Sequence, residues 1–276
     1  MAVNNFKVSI IISVYKDLES LGLILESLIN QTYKEFEIVV SEDGNSDEIK
    51  EFLKKYNNIN LVHSYHEDIG WRKNIALNNA VRKSSGEYLI FIDGDVIPYS
   101  NFIERHIQLS KKQEVLCGKR LELGSFFSKL IRDNTLSISF IERFYIFLLL
   151  FLIIDRARHI EEGMSLSPDG VLSKRINSKK RIMLLGCNFS CFKEDLESIN
   201  GFDEDYNIPS VGEDIDLMWR FKYFNIKLKS IRNLANMFHL WHPRNWNRTH
   251  RLSNEKIMKE KRFKKEYRCK NGLIKE

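Results

Sequence analysis

Trp71–Asp95 reads WRKNIALNNAVRKSSGEYLIFIDGD. Trp71–Lys83 is helical and stops at Ser84-Ser85-Gly86, and Tyr88–Ile92 is a short apolar run that suits a buried strand. The strand ends on Asp93-Gly94-Asp95, two carboxylates one residue apart with a glycine between them that permits a tight turn. A charged turn directly after a buried strand is the layout of an open α/β sheet, where ligands bind beyond the carboxyl ends of the strands.

The flanking sequence repeats that pattern. Lys7–Val14 (KVSIIISV) is a β-branched apolar run suited to a strand covered on both faces, and Leu18, Leu21, Leu25, Leu28 and Ile29 follow at helical spacing. Phe36–Val40 and Ile59–His63 read as further strands, with a helix over Glu48–Tyr56 that Asn45 or Ser46 can cap. Alternation at this spacing predicts an α/β, Rossmann-like, mostly parallel sheet with helices on both faces. Beyond it, Phe102–Lys112 and Glu213–Phe224 look helical, and Glu114–Cys117, Leu184–Phe192 and Lys227–Ile231 look strand-like. Phe144–Ile154 (FYIFLLLFLII) is too short to span a bilayer, which needs about 20 apolar residues. It reads as a buried core helix or, since Arg143, Arg156 and Arg158 flank it, as an interfacial segment.

At 43% hydrophobic and 29% charged, the 276 residues can bury a full core, which excludes disorder as the main state. Cys117, Cys187, Cys191 and Cys269 form no CxxC pair, so neither a disulfide framework nor a zinc ribbon is expected. Met1–Lys7 lacks a signal-peptide pattern, and the expected setting is reducing and cytoplasmic. Charge is uneven: residues 244–276 hold twelve Lys/Arg against four Asp/Glu, leaving 31 basic and 33 acidic side chains before them. Such a tail is either a solvated helical end or a contact with something anionic, nucleic acid or a membrane face. With no internal repeat or low-complexity linker, the chain reads as one domain over residues 1–243 and a basic tail over 244–276.

Three acidic clusters stand at element ends: Asp93 and Asp95, Glu42-Asp43-Gly44-Asn45-Ser46-Asp47, and Gly212-Glu213-Asp214-Ile215-Asp216. Each alone is compatible with a turn or a helix N-terminus. Together, in a nearly neutral body, they read as one site. Paired carboxylates suit a hard divalent cation, and His239 or His242 can complete a shell that accepts nitrogen.

The ordered blocks SIIISVYKDLESLGLILESLINQTYKEFEIVVSEDGNSDE, GWRKNIALNNAVRKSSGEYLIFIDGD, LGCNFSCFKEDLESINGFDEDY and GEDIDLMWR resemble the family 2 glycosyltransferases of the GT-A fold. The resemblance runs from about Val8 to Pro243. Its GCN, GFDE and EDxD blocks, followed by histidine, are also similar to bacterial chondroitin-polymerase-like and galactosyltransferase-like enzymes. It implies a donor half at about 1–118, an insert at 119–183 and an acceptor half at about 184–243. The implied activity is that of a metal-dependent, inverting hexosyltransferase with a nucleotide site at the strand C-termini. A UDP-sugar of Gal, Glc, GalNAc or GlcNAc type would pass its sugar to a saccharide hydroxyl, in bacterial surface polysaccharide synthesis.

The resemblance also implies residue roles. Val14, Tyr15 and Asp43 would line the base pocket, with Lys73 and Asn74 near ribose and diphosphate. Asp93, Gly94 and Asp95 would form the DxD motif. Asp95 and His239 would hold Mn²⁺ or Mg²⁺, with His242 as the fallback. Asp214 would be the catalytic base, and Glu213 and Trp241 would meet the acceptor. The chain departs from the family pattern at Ser13, where proline is frequent, at Glu42, where aspartate is usual, and at Lys73, which lacks the bidentate fork of arginine. Ile208-Pro209-Ser210-Val211 also lacks the aromatic residue that commonly stacks on the acceptor. Trp71, Trp241 and Trp246 are alternative platforms, while Trp219 suits core packing.

The apolar run and basic tail together suggest a peripheral enzyme on an anionic inner membrane face with a lipid-linked acceptor, and no nucleic-acid partner. Two other readings compete. A nucleotide-sugar-forming nucleotidyltransferase is disfavoured because Ser13–Ser20 contains no glycine for a phosphate loop. A non-catalytic nucleic-acid- or lipid-binding module would leave the four ordered blocks unexplained.

Overall fold

A computed structural model describes residues 6–178, 182–209, 213–243 and 248–276. Ser210, Val211, Gly212, Trp246 and the Glu213 side chain, all singled out above, lie outside the described residues. The strands are β1 (Val8–Val14), β2 (Phe36–Glu42), β3 (Leu61–Ser64), β4 (Tyr88–Asp93), β5 (Val96–Pro98), β6 (Glu114–Cys117), β7 (Leu121–Glu122), β8 (Phe189–Phe192), β9 (Lys227–Ser230) and β10 (Met237–His239).

The main sheet has the order β3-β2-β1-β4-β8-β6-β9. It is parallel except at β8, which runs antiparallel to both β4 and β6. Side chains alternate across β1, so Val8, Ile10 and Ile12 pack towards the helix Leu18–Ile29 while Ile11 joins Val39, Phe91 and the helix Lys73–Lys83 on the other face. Asp17 caps the first of these helices, accepting from the Ser20 amide at 3.0 Å. Of the two cap candidates for Asp47–Leu53, Ser46 serves.

Leu184–Phe192 is strand only from Phe189. Ahead of it the chain turns, with the Asn188 amide donating to the Leu185 carbonyl at 3.0 Å and the Asn188 side chain tying down the carbonyls of Lys119 and Ala235. Short strands absent from the sequence reading form a second sheet, β5-β10-β7, just past the charged turn.

Among the described residues the insert carries four α-helices, Ser125–Arg132, Ile138–Arg143, Tyr145–Ile154 and Val171–Asn177, and a short 3-10 turn at Ile160–Gly163. Tyr145–Ile154 is not a core helix: Tyr145 and Leu152 are buried, while Ile146, Phe147, Leu150, Phe151, Ile153 and Ile154 are exposed. Too little chain covers it. No helix among the described residues is long and apolar enough to cross a membrane.

The basic C-terminal segment folds back onto the body. Its helix Arg248–Phe263 presents Lys261 to Asp203 (2.7 Å) and Asp205 (2.6 Å). Cys269 is fully buried, Arg82 donates to the carbonyls of Gly272 and Leu273, and Lys275 pairs with Glu204. Part of the segment's positive charge therefore meets the acidic residues of Gly201-Phe202-Asp203-Glu204-Asp205. Trp219 is half-buried, with the Tyr267 ring 4.8 Å away and Arg262 over its face, so it packs under the C-terminal segment rather than in the core.

Arg220, on the helix Glu213–Tyr223, is the largest fully buried side chain among those described. Its Nε donates to Asp216 at 2.6 Å, and one terminal nitrogen donates to the carbonyls of Ile199 and Gly201 at 2.8 Å each. Arg220→Met would strand a buried carboxylate and two buried carbonyls. It is expected to cost about 3–5 kcal/mol, the scale for breaking a buried ion pair from one side, measured as a lower urea midpoint.

Candidate active site

β1, β2 and β4 run parallel in register, so their C-terminal ends place Val14, Glu42 and Asp93 side by side. The Asp43 amide donates to the Val14 carbonyl at 2.9 Å, which joins the first two ends. Val14 is buried, so only its backbone faces the site, whereas Tyr15 is 55% exposed at the rim. The turn Asp93-Gly94-Asp95 passes close over β1: a Cβ on Gly94 would sit 2.7 Å from the Ser13 carbonyl oxygen, so only glycine fits.

The small sheet brings the remote histidine to this turn. β10 pairs antiparallel with β5, with His239 opposite Val96, and the Leu240 amide donates to the Asp95 carbonyl at 2.9 Å. Asp95 Oδ2 consequently lies 3.2 Å from His239 Nε2 and 3.3 Å from His242 Nε2. Both candidate histidines converge on one carboxylate. One ligand atom from each of the three residues lies within 4.8 Å of the others. Asp95 Oδ1 is buried with no hydrogen-bond partner, an orphan acceptor beside two imidazoles. Burial alone would raise the Asp95 pKa, but the hydrogen bonds and charges of the two histidines outweigh it and hold the group below the usual carboxylate range. An anionic oxygen with two aromatic nitrogens, one carboxylate lone pair to spare, fits a borderline divalent ion.

Asp93 faces the other way. Its Oδ1 accepts from Lys73 Nζ at 2.8 Å, and Ser13, Lys73, Asp93, Gly186 and Asp214 line one small cavity. Asp214 stands near the start of its helix, half-buried. Burial pushes its pKa up, the Ile215 amide and Lys73 pull it down, Asp93 pushes it up again, and the net direction is upward. A carboxylate so placed is a better proton acceptor than an exposed one.

Asn74 is not at the donor face. It is 1% exposed, and its amide donates to the Asp203 carbonyl at 2.7 Å, because the first turn of its helix points that side chain into the layer beneath. It holds the GFDE loop. Asp43 is nearly buried, with its carboxylate accepting the Arg72 amide at 2.9 and 3.1 Å and lying 3.2 Å from His66 Nε2. Those contacts leave further lone pairs on both oxygens. Trp241 is 50% exposed beside His242, its amide anchored on Ser128 Oγ at 2.8 Å.

Two residues near the site escaped the sequence reading. His66 follows the third strand, where α/β ligand sites gather, and that position was its only signal. Arg120 reaches Cys187 Sγ at 3.0 Å and Glu122 at 3.6 Å, and its Nε is buried without a partner. A lone arginine in a loop carries no sequence signal at all.

A mostly parallel sheet with a carboxylate turn at its switch point, backed by a small sheet delivering histidine, defines the GT-A class of glycosyltransferase fold. The family described as glycosyl transferase family 2 matches residues 9–161, and the N-terminal domain of galactosyltransferase matches residues 175–243. The chain belongs to glycosyltransferase family 2.

Relatives include an uncharacterized glycosyltransferase of Rickettsia bellii, 32% identical over 113 residues, 40% of this chain and 16% of that protein. Glycosyltransferase AglE of Haloferax volcanii is 32% identical over 36% of this chain and 34% of its own length. The cholesterol galactosyltransferase of Borreliella burgdorferi is 31% identical over 42% and 33% respectively. This chain spans well under half the length of these curated relatives.

Among solved structures, GalNAc-T7 with UDP, GalNAc and Mn²⁺ aligns at TM-score 0.64 with 15% identity, over 94% of this chain and 48% of that one. S. aureus TarS aligns at 0.58 with 20% identity, over 86% and 37%. The mannosyltransferase PcManGT from Pyrobaculum calidifontis, in complex with GDP-Man and Mn²⁺, aligns at 0.55 with 17% identity, over 87% and 59%.

Proposed function

We propose that this chain is a metal-dependent, inverting transferase that moves a hexose from a UDP-sugar to a saccharide hydroxyl. The observation that carries the reading is the convergence of Asp95, His239 and His242 beside the cavity shared by Lys73, Asp93 and Asp214. Structures similar in fold are described with UDP, with UDP-GlcNAc and with Mn²⁺, which supports a nucleotide-sugar donor and Mn²⁺ or Mg²⁺. The sugar is of Gal, Glc, GalNAc or GlcNAc type, and the galactosyltransferase-domain match supports galactose among these.

Asp95, His239 and His242 would hold the ion, which when bound supplies Lewis-acid charge to a diphosphate leaving group. Lys73, anchored on Asp93, adds a cation at the same end of the sheet. Asp43 accepts from the base with its remaining lone pairs, and Tyr15 walls the base pocket. Trp241 offers its exposed face to the acceptor, and Glu213, next to Asp214 in sequence, is the second acceptor-binding residue. The acceptor oxygen attacks the anomeric carbon as the bond to the diphosphate breaks, and the acceptor proton passes to Asp214. One displacement inverts the anomeric centre, so an α-linked donor gives a β-linked product. A relative named for cholesterol as its galactose acceptor supports a lipid-linked or lipid-proximal acceptor at a membrane face, and the resemblance of the ordered blocks to bacterial family 2 enzymes makes surface polysaccharide synthesis the setting we favour.

The test is UDP release from UDP-Gal, UDP-Glc, UDP-GalNAc and UDP-GlcNAc, with Mn²⁺ and with chelator. Chelator-sensitive UDP release from one of them, with a β-linked product, is expected. Pyrophosphate release from UTP with no UDP release from any sugar nucleotide would overturn the reading in favour of a nucleotidyltransferase.

A further inference from the structure

Helix Tyr145–Ile154 is apolar on every side, yet only one stripe of it is covered. Tyr145, Leu148, Leu149 and Leu152 follow the i, i+3, i+4, i+7 spacing of a single helix face, and all four are buried or half-buried. Tyr145 is fixed by its hydroxyl, which donates to the Ile160 carbonyl. The opposite face shows Ile146, Phe147, Leu150, Phe151, Ile153 and Ile154 to solvent, with Phe147 79% exposed. The helix therefore does not use its outer face to build the core.

The apolar surface continues off the helix. Phe126, Phe127, Leu130 and Leu136 join Leu148, Phe151 and Ile154 around a groove of about 430 Å³. A contiguous apolar face of this kind on a soluble domain marks an interaction site. Its charge setting indicates the partner. Arg143 precedes the helix and Arg156 follows it, at opposite ends of an element about 15 Å long, and Lys129 lies on the neighbouring helix. All three are exposed, and none pairs with a carboxylate among the described residues. Apolar insertion bracketed by unpaired cations is the two-signal combination that stable binding to an anionic lipid surface requires.

We propose that the outer face of Tyr145–Ile154, with its groove and bracketing cations, docks the protein on an anionic phospholipid bilayer, and that the basic C-terminal segment does not. That segment turns Lys261 and Lys275 inwards onto Asp203, Asp205 and Glu204 and buries Cys269. The geometry also ties the docking face to the acceptor side of the site. Asp155, at the end of the apolar helix, accepts the Phe126 and Phe127 amides at 2.9 Å each, and the same short helix holds Trp241 through Ser128. The surface deepens the lipid-proximal reading of the acceptor and rests on it for the purpose of docking, not for its occurrence.

The experiment is co-sedimentation of the full chain with vesicles of phosphatidylcholine plus phosphatidylglycerol, against phosphatidylcholine alone. Calorimetric UDP binding with Mn²⁺ runs alongside to report the fold. Wild type is expected to bind the anionic vesicles in a salt-sensitive way. The double variant Phe147→Asp, Leu150→Asp should bind them about 100-fold more weakly, the partitioning of two large apolar side chains. Arg143→Gln with Arg156→Gln should weaken binding about 30-fold and reduce the salt dependence. Lys264→Gln with Lys265→Gln, on the exposed C-terminal segment, should change neither.

Absence of wild-type binding, or full binding by the Phe147/Leu150 variant, overturns the proposal. So does self-association in lipid-free sedimentation that this variant abolishes, since the face would then cover a second copy. Failure of UDP binding in the wild type would sink the catalytic reading and leave this surface standing.

Discussion

Asp95→Asn is expected to abolish Mn²⁺-dependent UDP binding. The substitution keeps the shape of the side chain and removes its charge. In the native protein Oδ2 draws both His239 and His242 to within 3.3 Å, and Oδ1 is a buried acceptor with nothing to accept. An amide in that place offers one neutral oxygen and puts N–H groups where a cation would sit. The loss in UDP affinity with Mn²⁺ should reach at least about 100-fold, beyond the 10–100-fold seen for residues that merely support a ligand. Affinity in chelator should stay unchanged. Calorimetric titration of UDP with and without Mn²⁺ reads both, and equal affinity of variant and wild type in Mn²⁺ would remove Asp95 from the metal site.

Asp214→Asn should strike turnover and spare binding. Loss of a general base lowers kcat by about 10²–10⁴-fold, while KM for the donor is expected to move only a few-fold, because the role proposed for Asp214 concerns the acceptor proton alone. A parallel collapse of donor affinity would make it a donor ligand instead.

The pH profile offers a second readout. Burial raises the Asp214 pKa from the ordinary aspartate value. The base works only when deprotonated, so wild-type kcat should fall on the acid side at a pH above the usual carboxylate value, and the Asn variant should lack that limb. Stability should move in the opposite sense. A carboxyl whose folded-state pKa is raised contributes stability below its unfolded value and loses it as pH rises through the folded one. At neutral pH the charged form is a cost, so Asp214→Asn should melt slightly higher than wild type. A dead enzyme that is more stable is the signature of a site residue rather than a scaffold residue.

The sheet was largely legible in the chain because it is built from local signals. β1, β2 and β4 are short β-branched runs separated by helices of ordinary length, and a parallel sheet then sets their ends side by side without further information. The acidic clusters were legible for the same reason, since each terminates an element. The limits of that reading fall where contacts are non-local. Asn74 follows Lys73 by one residue, and only the packing of the helix against the GFDE loop decides that lysine faces Asp93 while asparagine faces Asp203. Leu184–Asn188 has strand-like composition, yet the Asn188 amide is needed by two distant carbonyls and bends the backbone.

By itself the sequence determined the α/β class and the carboxylate turn at Asp93–Asp95, since each depends on neighbours a few residues apart. Tertiary structure alone decided that His239 and His242 share Asp95. That pairing needs β10 to lie against β5 across more than a hundred residues of chain. It alone also decided that the apolar helix at Tyr145 keeps its outer face in solvent and that the basic C-terminal segment spends charge on the body. A side chain's type sets what burial would be worth, but only the arrangement of the rest of the chain sets whether anything is there to bury it.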